Sequence, residues 1–166
     1  ALRPVVADLV QLVRALSHPG DRLAWLSVLR APYCGLTLTS LQRLFGDDHI
    51  TPVPVLLERA LRVAPQAAPA APPSAPQGSL FDAAPEAPET PSAQAVLGSD
   101  EFERLRQVAG ILLDKRNASG AMPFAAWVES LWRRLGGPAL YAGLSVANDA
   151  ESLFQLIERL APHGAI

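Results

Sequence analysis

The sequence has little of what usually marks a catalytic or ligand-loaded protein. Its one cysteine, Cys34, excludes a disulfide framework and a cluster of thiolate metal ligands. Lys115 is the only lysine and follows Leu-Leu-Asp, so a glycine-rich phosphate-binding loop with its lysine and hydroxyl has no place here. Basic residues, 13 of the 14 being arginine, face 16 acidic ones, and a net charge of −2 excludes a strongly basic nucleic-acid tail or a polybasic membrane anchor. No apolar run approaches the roughly 18 residues of a membrane span, and no signal-peptide pattern opens the chain. The expectation is a cytoplasmic protein without a membrane partner. The only methionine is Met122 and the chain opens Ala-Leu-Arg-Pro, which points to a removed leader or a piece of a longer protein.

Proline and alanine, by contrast, are abundant and unevenly placed. Residues 64–98 hold 11 alanines and 8 prolines, and their charges are Asp82, Glu86 and Glu89 alone. Proline at that density removes backbone donors, and so little bulky apolar surface does not offset ordering entropy. The stretch reads as a disordered Pro/Ala-rich linker between two folded parts, 1–63 and 99–166. Without it, 14 basic residues meet 13 acidic ones, so the folded parts are close to neutral.

Both folded parts carry helical periodicity. Pro4 suits a first helical position ahead of Val5, Val6, Leu9, Val10, Leu12, Val13 and Leu16, and His18-Pro19-Gly20 stops that helix. Asp21 caps a second helix that ends before Ala31-Pro32. Thr37 or Thr39 caps a third, Ser40 to Phe45, with Gly46 as its stop, and Thr51-Pro52 opens a fourth to about Arg62. In the second part, Ser99 or Asp100 is placed to cap a long helix, and Asp100 with Glu103 fits a capping box. Pro123 opens a helix closed by Gly136-Gly137, and Asn148 with Glu151 fits another capping box before Leu153. No hairpin signal or alternating strand is present. The fold class is all-α, with a long disordered insert.

Candidate chemistry is sparse. His18, His49 and His163 are scattered and read as surface turn residues, Cys34 as a semi-buried structural cysteine, and Asp47-Asp48 as a solvated loop. Val96-Leu97-Gly98-Ser99-Asp100-Glu101 imitates a magnesium-holding ATPase strand, but Gly98 and Ser99 interrupt it and a helix start accounts for the acids. Asn117-Ala118-Ser119 matches a glycosylation acceptor in a chain without a secretory signal. Trp25, Trp127 and Trp132 sit at helical spacing among Leu and Val, as core or interface residues do; base-stacking platforms are the alternative. Arg133-Arg134 reads as a solvated helix end. No catalytic set, metal site or cofactor site emerges from the residues.

The blocks Arg3-Pro4-Val5-Val6-Ala7-Asp8-Leu9-Val10 and Asp21-Arg22-Leu23-Ala24-Trp25-Leu26-Ser27-Val28-Leu29-Arg30-Ala31-Pro32-Tyr33-Cys34-Gly35-Leu36-Thr37 resemble the opening of the 2B accessory subdomain of UvrD/Rep/RecB-like DNA helicases. Within that family the RecB/AddA-like helicase–nucleases look closest. Phe124 to Trp132 and Leu135-Gly136-Gly137-Pro138-Ala139 are similar to the second half of the same subdomain, so the resemblance covers about two-thirds of the chain. It implies an ATP-driven 3′-to-5′ DNA translocase acting in repair and recombination, with or without a nuclease domain. ATP and magnesium would then bind motor domains outside this chain. It also implies that Pro32-Tyr33-Cys34-Gly35-Leu36-Thr37 is the turn that touches duplex DNA. Gly35, Leu36 and Thr37 would bring backbone close to a phosphate, with Arg30 and Arg43 adding charge. Leu36-Thr37 stands where the simpler helicases carry Ile-Gly. Within the linker, Gln77-Gly78-Ser79-Leu80-Phe81-Asp82 resembles the peptide by which bacterial proteins hold the sliding clamp, with Gln77, Leu80 and Phe81 as contacts. A stand-alone helical adaptor for protein partners is the alternative to the helicase arm.

Overall fold

A computed structural model describes residues 3–62, 90–114, 120–141 and 143–161. Among these residues there are nine helices and no strand. The first four are α1 (Pro4–Ser17), α2 (Arg22–Arg30), α3 (Leu38–Phe45) and α4 (Val53–Arg62). Then come the short α5 (Ala93–Val96), α6 (Ser99–Leu112), α7 (Phe124–Arg134), the short α8 (Gly137–Leu140) and α9 (Leu144–Leu160).

Local chemistry sets most helix starts. Pro4 occupies the first turn of α1, and the Asp21 carboxylate accepts the Ala24 amide at 3.0 Å to cap α2. Thr37 caps α3 through the Ser40 amide at 3.1 Å, so that helix begins at Leu38, two residues before the expected Ser40. Left-handed Gly136 (φ +79°) ends the α7 turn.

Three expectations are corrected. The linker was to run to Gly98, but α5 lies inside that range, and Ser92, Ala93 and Leu97 are buried. Proline ends at Pro91, and Ala93 and Leu97, four residues apart, present one small apolar face to α3, α4 and α6. Residues 64–89 of the proposed linker lie outside the described residues. The Asp100–Glu103 capping box is not formed: Gly98 is the N-cap without a side-chain bond, Ser99 and Asp100 are already helical, and Glu103 pairs with Arg106. The Asn148–Glu151 box lies inside α9, which starts four residues earlier. There the Asn148 carbonyl accepts the Ser152 hydroxyl and Glu151 accepts the Gln155 amide.

The two folded parts share one core. Val5, Leu9 and Leu12, at 0–1% exposure, run down the inner face of α1, which packs on α2, α7 and α9. On the far side, α4 meets α2, α3, α5 and α6. Polar ties reinforce the join. Tyr141 donates its hydroxyl to the Asp8 carboxylate on α1, Arg3 pairs with Asp149 of α9 at 2.8 Å, and Arg134 of α7 pairs with Asp114 at 2.8 Å. The described residues of the two parts therefore close a single apolar interior.

Candidate nucleic-acid interface

The segment joining α2 to α3 is held by its own backbone. The Ala31 carbonyl accepts the amides of Cys34 (3.0 Å) and Gly35 (2.8 Å), and the Leu36 amide donates to the Leu29 carbonyl (3.0 Å). Tyr33, Cys34 and Leu36 turn inward and are buried, while Pro32, Gly35 and Thr37 face outward. Gly35 sits at φ +65°, where a side chain is strained, and the space around it is open. Its role is thus conformational: it lets the chain reverse and enter α3.

This geometry refines the expected contact. The amides of Gly35 and Leu36 are already spent inside the turn, so neither donates to a phosphate, and Leu36 is a core side chain. The donors left facing outward are those of the first turn of α3, at Leu38 and Thr39, which have no intrahelical acceptor. Arg30, exposed at the end of α2, stands beside α3. Arg43 is also exposed but is not brought to the same place. Leu38, Leu41, Gln42 and Phe45 face α2, and Arg43 projects from the other side of α3.

Two groups from the second half of the chain enter this site, and sequence reasoning did not find them. The Ser40 hydroxyl donates to both carboxylate oxygens of Glu101 on α6 at 3.0 Å, and it contacts the Thr37 hydroxyl at 2.9 Å. Glu101 therefore places an anion at the positive end of α3, where an incoming phosphate would also gain. Arg104, one turn further along α6, is exposed and close enough to lower the pKa of Cys34 by its charge. More than 60 residues separate these groups from the turn, and no local spacing announces them.

Cys34 is wholly buried, and burial pushes its thiol up to about 12, with Arg104 offsetting part of the shift. It behaves as a core side chain, so alkylation of the folded chain should proceed only through unfolding. In the unfolded chain the thiol ionises near pH 8.5, whereas the folded chain keeps the proton, so the folded state binds more protons above that pH and stability falls as pH rises. Relative to Cys34→Ala, the native chain should lose about 1–2 kcal/mol between pH 8 and pH 10, read from urea midpoints. Equal losses in both chains would disprove this.

The remaining singled-out residues are structural where they are described. Trp25 and Trp132 are buried in the core, and the half-buried Trp127 packs against it, edge-on to Phe124. Asp48 accepts the amides of Thr51 and Ile50, bonds that hold its carboxyl below the usual range. Arg133 pairs with Glu129 at 2.5 Å. His18 and His49 are exposed, and among the described residues no three metal-ligating side chains converge. Gln77, Leu80 and Phe81, the expected sliding-clamp contacts, lie outside the described residues, as do Lys115, Asn117 and His163.

No family model, curated protein or solved structure matches this chain. Among the described residues no helix is long and apolar enough to cross a membrane.

Proposed function

We propose that this chain is the accessory, 2B-like arm of an ATP-dependent 3′-to-5′ DNA helicase or helicase–nuclease, and that it contacts duplex DNA where α2 gives way to α3. The reading rests on the order of residues from Arg3 to Thr37. The observation that carries it is the turn itself: a left-handed Gly35 leading into a threonine-capped helix, with exposed Arg30 beside it. Phosphate contacts dominate DNA affinity, and a near-neutral body with one exposed arginine beside a helix start suits a weak, positioning contact. On this reading ATP hydrolysis belongs to the motor domains of the longer protein.

The test is duplex affinity of the longer protein across a salt series. Arg30→Ala should weaken binding about three- to tenfold and reduce the log–log salt slope by about 1, as expected for one lost phosphate contact. Glu101→Gln, which removes the competing anion from the start of α3, should strengthen binding. Gly35→Val, with a β-branched side chain at positive φ, should weaken it by distorting the turn. Unchanged affinity and slope in all three would refute the contact.

The adaptor reading keeps one observation in its favour, the apolar cleft that lies between the same two helices.

A further inference from the structure

Beside the turn, α2 and α3 diverge to leave a cleft of about 320 Å³. Phe45 lies in its floor, and Leu23 and Leu38 form its lips, 67% and 62% exposed. Two leucines this exposed, both lining one concave surface, leave apolar area in water that an occupant would remove. Among the described residues the ionisable groups lining the cleft are Arg22, Arg30 and His49, with no carboxylate. Arg22 donates from Nη2 to the Phe45 carbonyl at 2.5 Å, while its Nη1 has no hydrogen-bond partner among the described residues. The cleft thus asks for a short apolar segment with an acid beside it. At the lower end of ligand-pocket sizes, it suits one or two side chains rather than a helix.

We propose that the occupant is the chain's own Leu80-Phe81-Asp82. Between Ala64 and Gln94 these are the only two adjacent bulky apolar residues, and they are followed directly by a carboxylate. Every charge in residues 64–98 is acidic, opposite in sign to the arginines of the cleft. The reach is sufficient. α5 packs on α3, and Leu80 lies ten residues before Thr90, so the connection spans up to about 33 Å, more than twice the length of α2. Being tethered, the segment reaches the cleft at high effective concentration, so that modest contacts suffice. Leu80 and Phe81 fill the space between Leu23 and Leu38, and Asp82 meets the guanidinium groups at the rim. The inference stands apart from the DNA reading: it needs no nucleic acid and no longer protein.

The experiment uses the full chain with Ser79→Cys carrying a nitroxide label, since buried Cys34 does not react. Methyl signals of Leu23 and Leu38 should lose more than half their intensity relative to the reduced label. Adding Leu80→Ala and Phe81→Ala should restore them, and raising the salt concentration should restore them in part. Intact helix content by circular dichroism in the double variant separates lost docking from lost folding. A sample mixing isotope-labelled, spin-free chains with spin-labelled, isotope-free ones should show no broadening; broadening there would assign the cleft to a second copy and overturn the proposal. Methyl signals equally intense with and without Leu80 and Phe81 would overturn it too.

Discussion

Truncating Trp132 to alanine lowers the free energy of unfolding by about 3–5 kcal/mol, and Gly137→Ala, which removes nothing, lowers it by about 2–3 kcal/mol. The first value follows from burial. Trp132 is 5% exposed on α7, its ring is tilted against Phe154 of α9 with centroids 5.7 Å apart, and its loss leaves a void between two helices. The second follows from the opposite fault. A methyl group built on Gly137 overlaps Nε1, Cε2 and Cδ1 of the Trp132 indole, a ring that is 5% exposed and tilted against Phe154, so the ring or the α8 backbone must shift. The two effects are therefore coupled. In a Trp132→Phe background the smaller ring yields space, and Gly137→Ala should cost less than half as much, a coupling of about 1 kcal/mol or more. Trp132→Phe itself should be mild, because it also removes a buried Nε1 that has no hydrogen-bond partner among the described residues. Urea midpoints of the four chains close the cycle. Strict additivity would mean that the cost of Gly137→Ala does not come from the close approach of the indole.

Ala93→Asp is expected to destabilise the chain by about 3–5 kcal/mol, while Ala95→Asp, two residues on, should stay within about 0.5 kcal/mol. Both lie in α5, both gain the same carboxylate, and both lose the same helix propensity. They differ in what surrounds them. Ala93 is fully buried where α5 meets α3, α4 and α6, and a carboxylate there is either desolvated without a partner or forces the helix off. Ala95 faces solvent. A composition argument that extends the Pro/Ala-rich stretch to Gly98 predicts no effect at either site. Thermal unfolding discriminates sharply, since at this chain length each kcal/mol shifts the midpoint by roughly 2–4 °C. Equal midpoints for the two variants would return α5 to the linker.

The helical class and most helix starts follow from the sequence by itself. Pro4, Asp21, Thr37, Pro123 and Gly136 act within three or four residues of where they stand, so the signal and its consequence share the same short window. The stripe of Val5, Leu9 and Leu12 was legible for the same reason. The starts that misled, Asp100 and Asn148, carry good capping residues placed inside longer helices, where continued burial of one face outweighs a local cap. The Pro32–Thr37 turn was legible as a turn, because Pro and Gly announce it. What occupies its surroundings was not. Only the tertiary structure brings Glu101 to Ser40, Arg104 towards Cys34 and the indole of Trp132 onto Gly137, and only packing turns Ala93 and Leu97 into core. Caps and turns are decided by hydrogen bonds between near neighbours. Which stripe meets which, and which charges then stand together, is decided by how the whole apolar surface closes, and no window of the sequence holds that information.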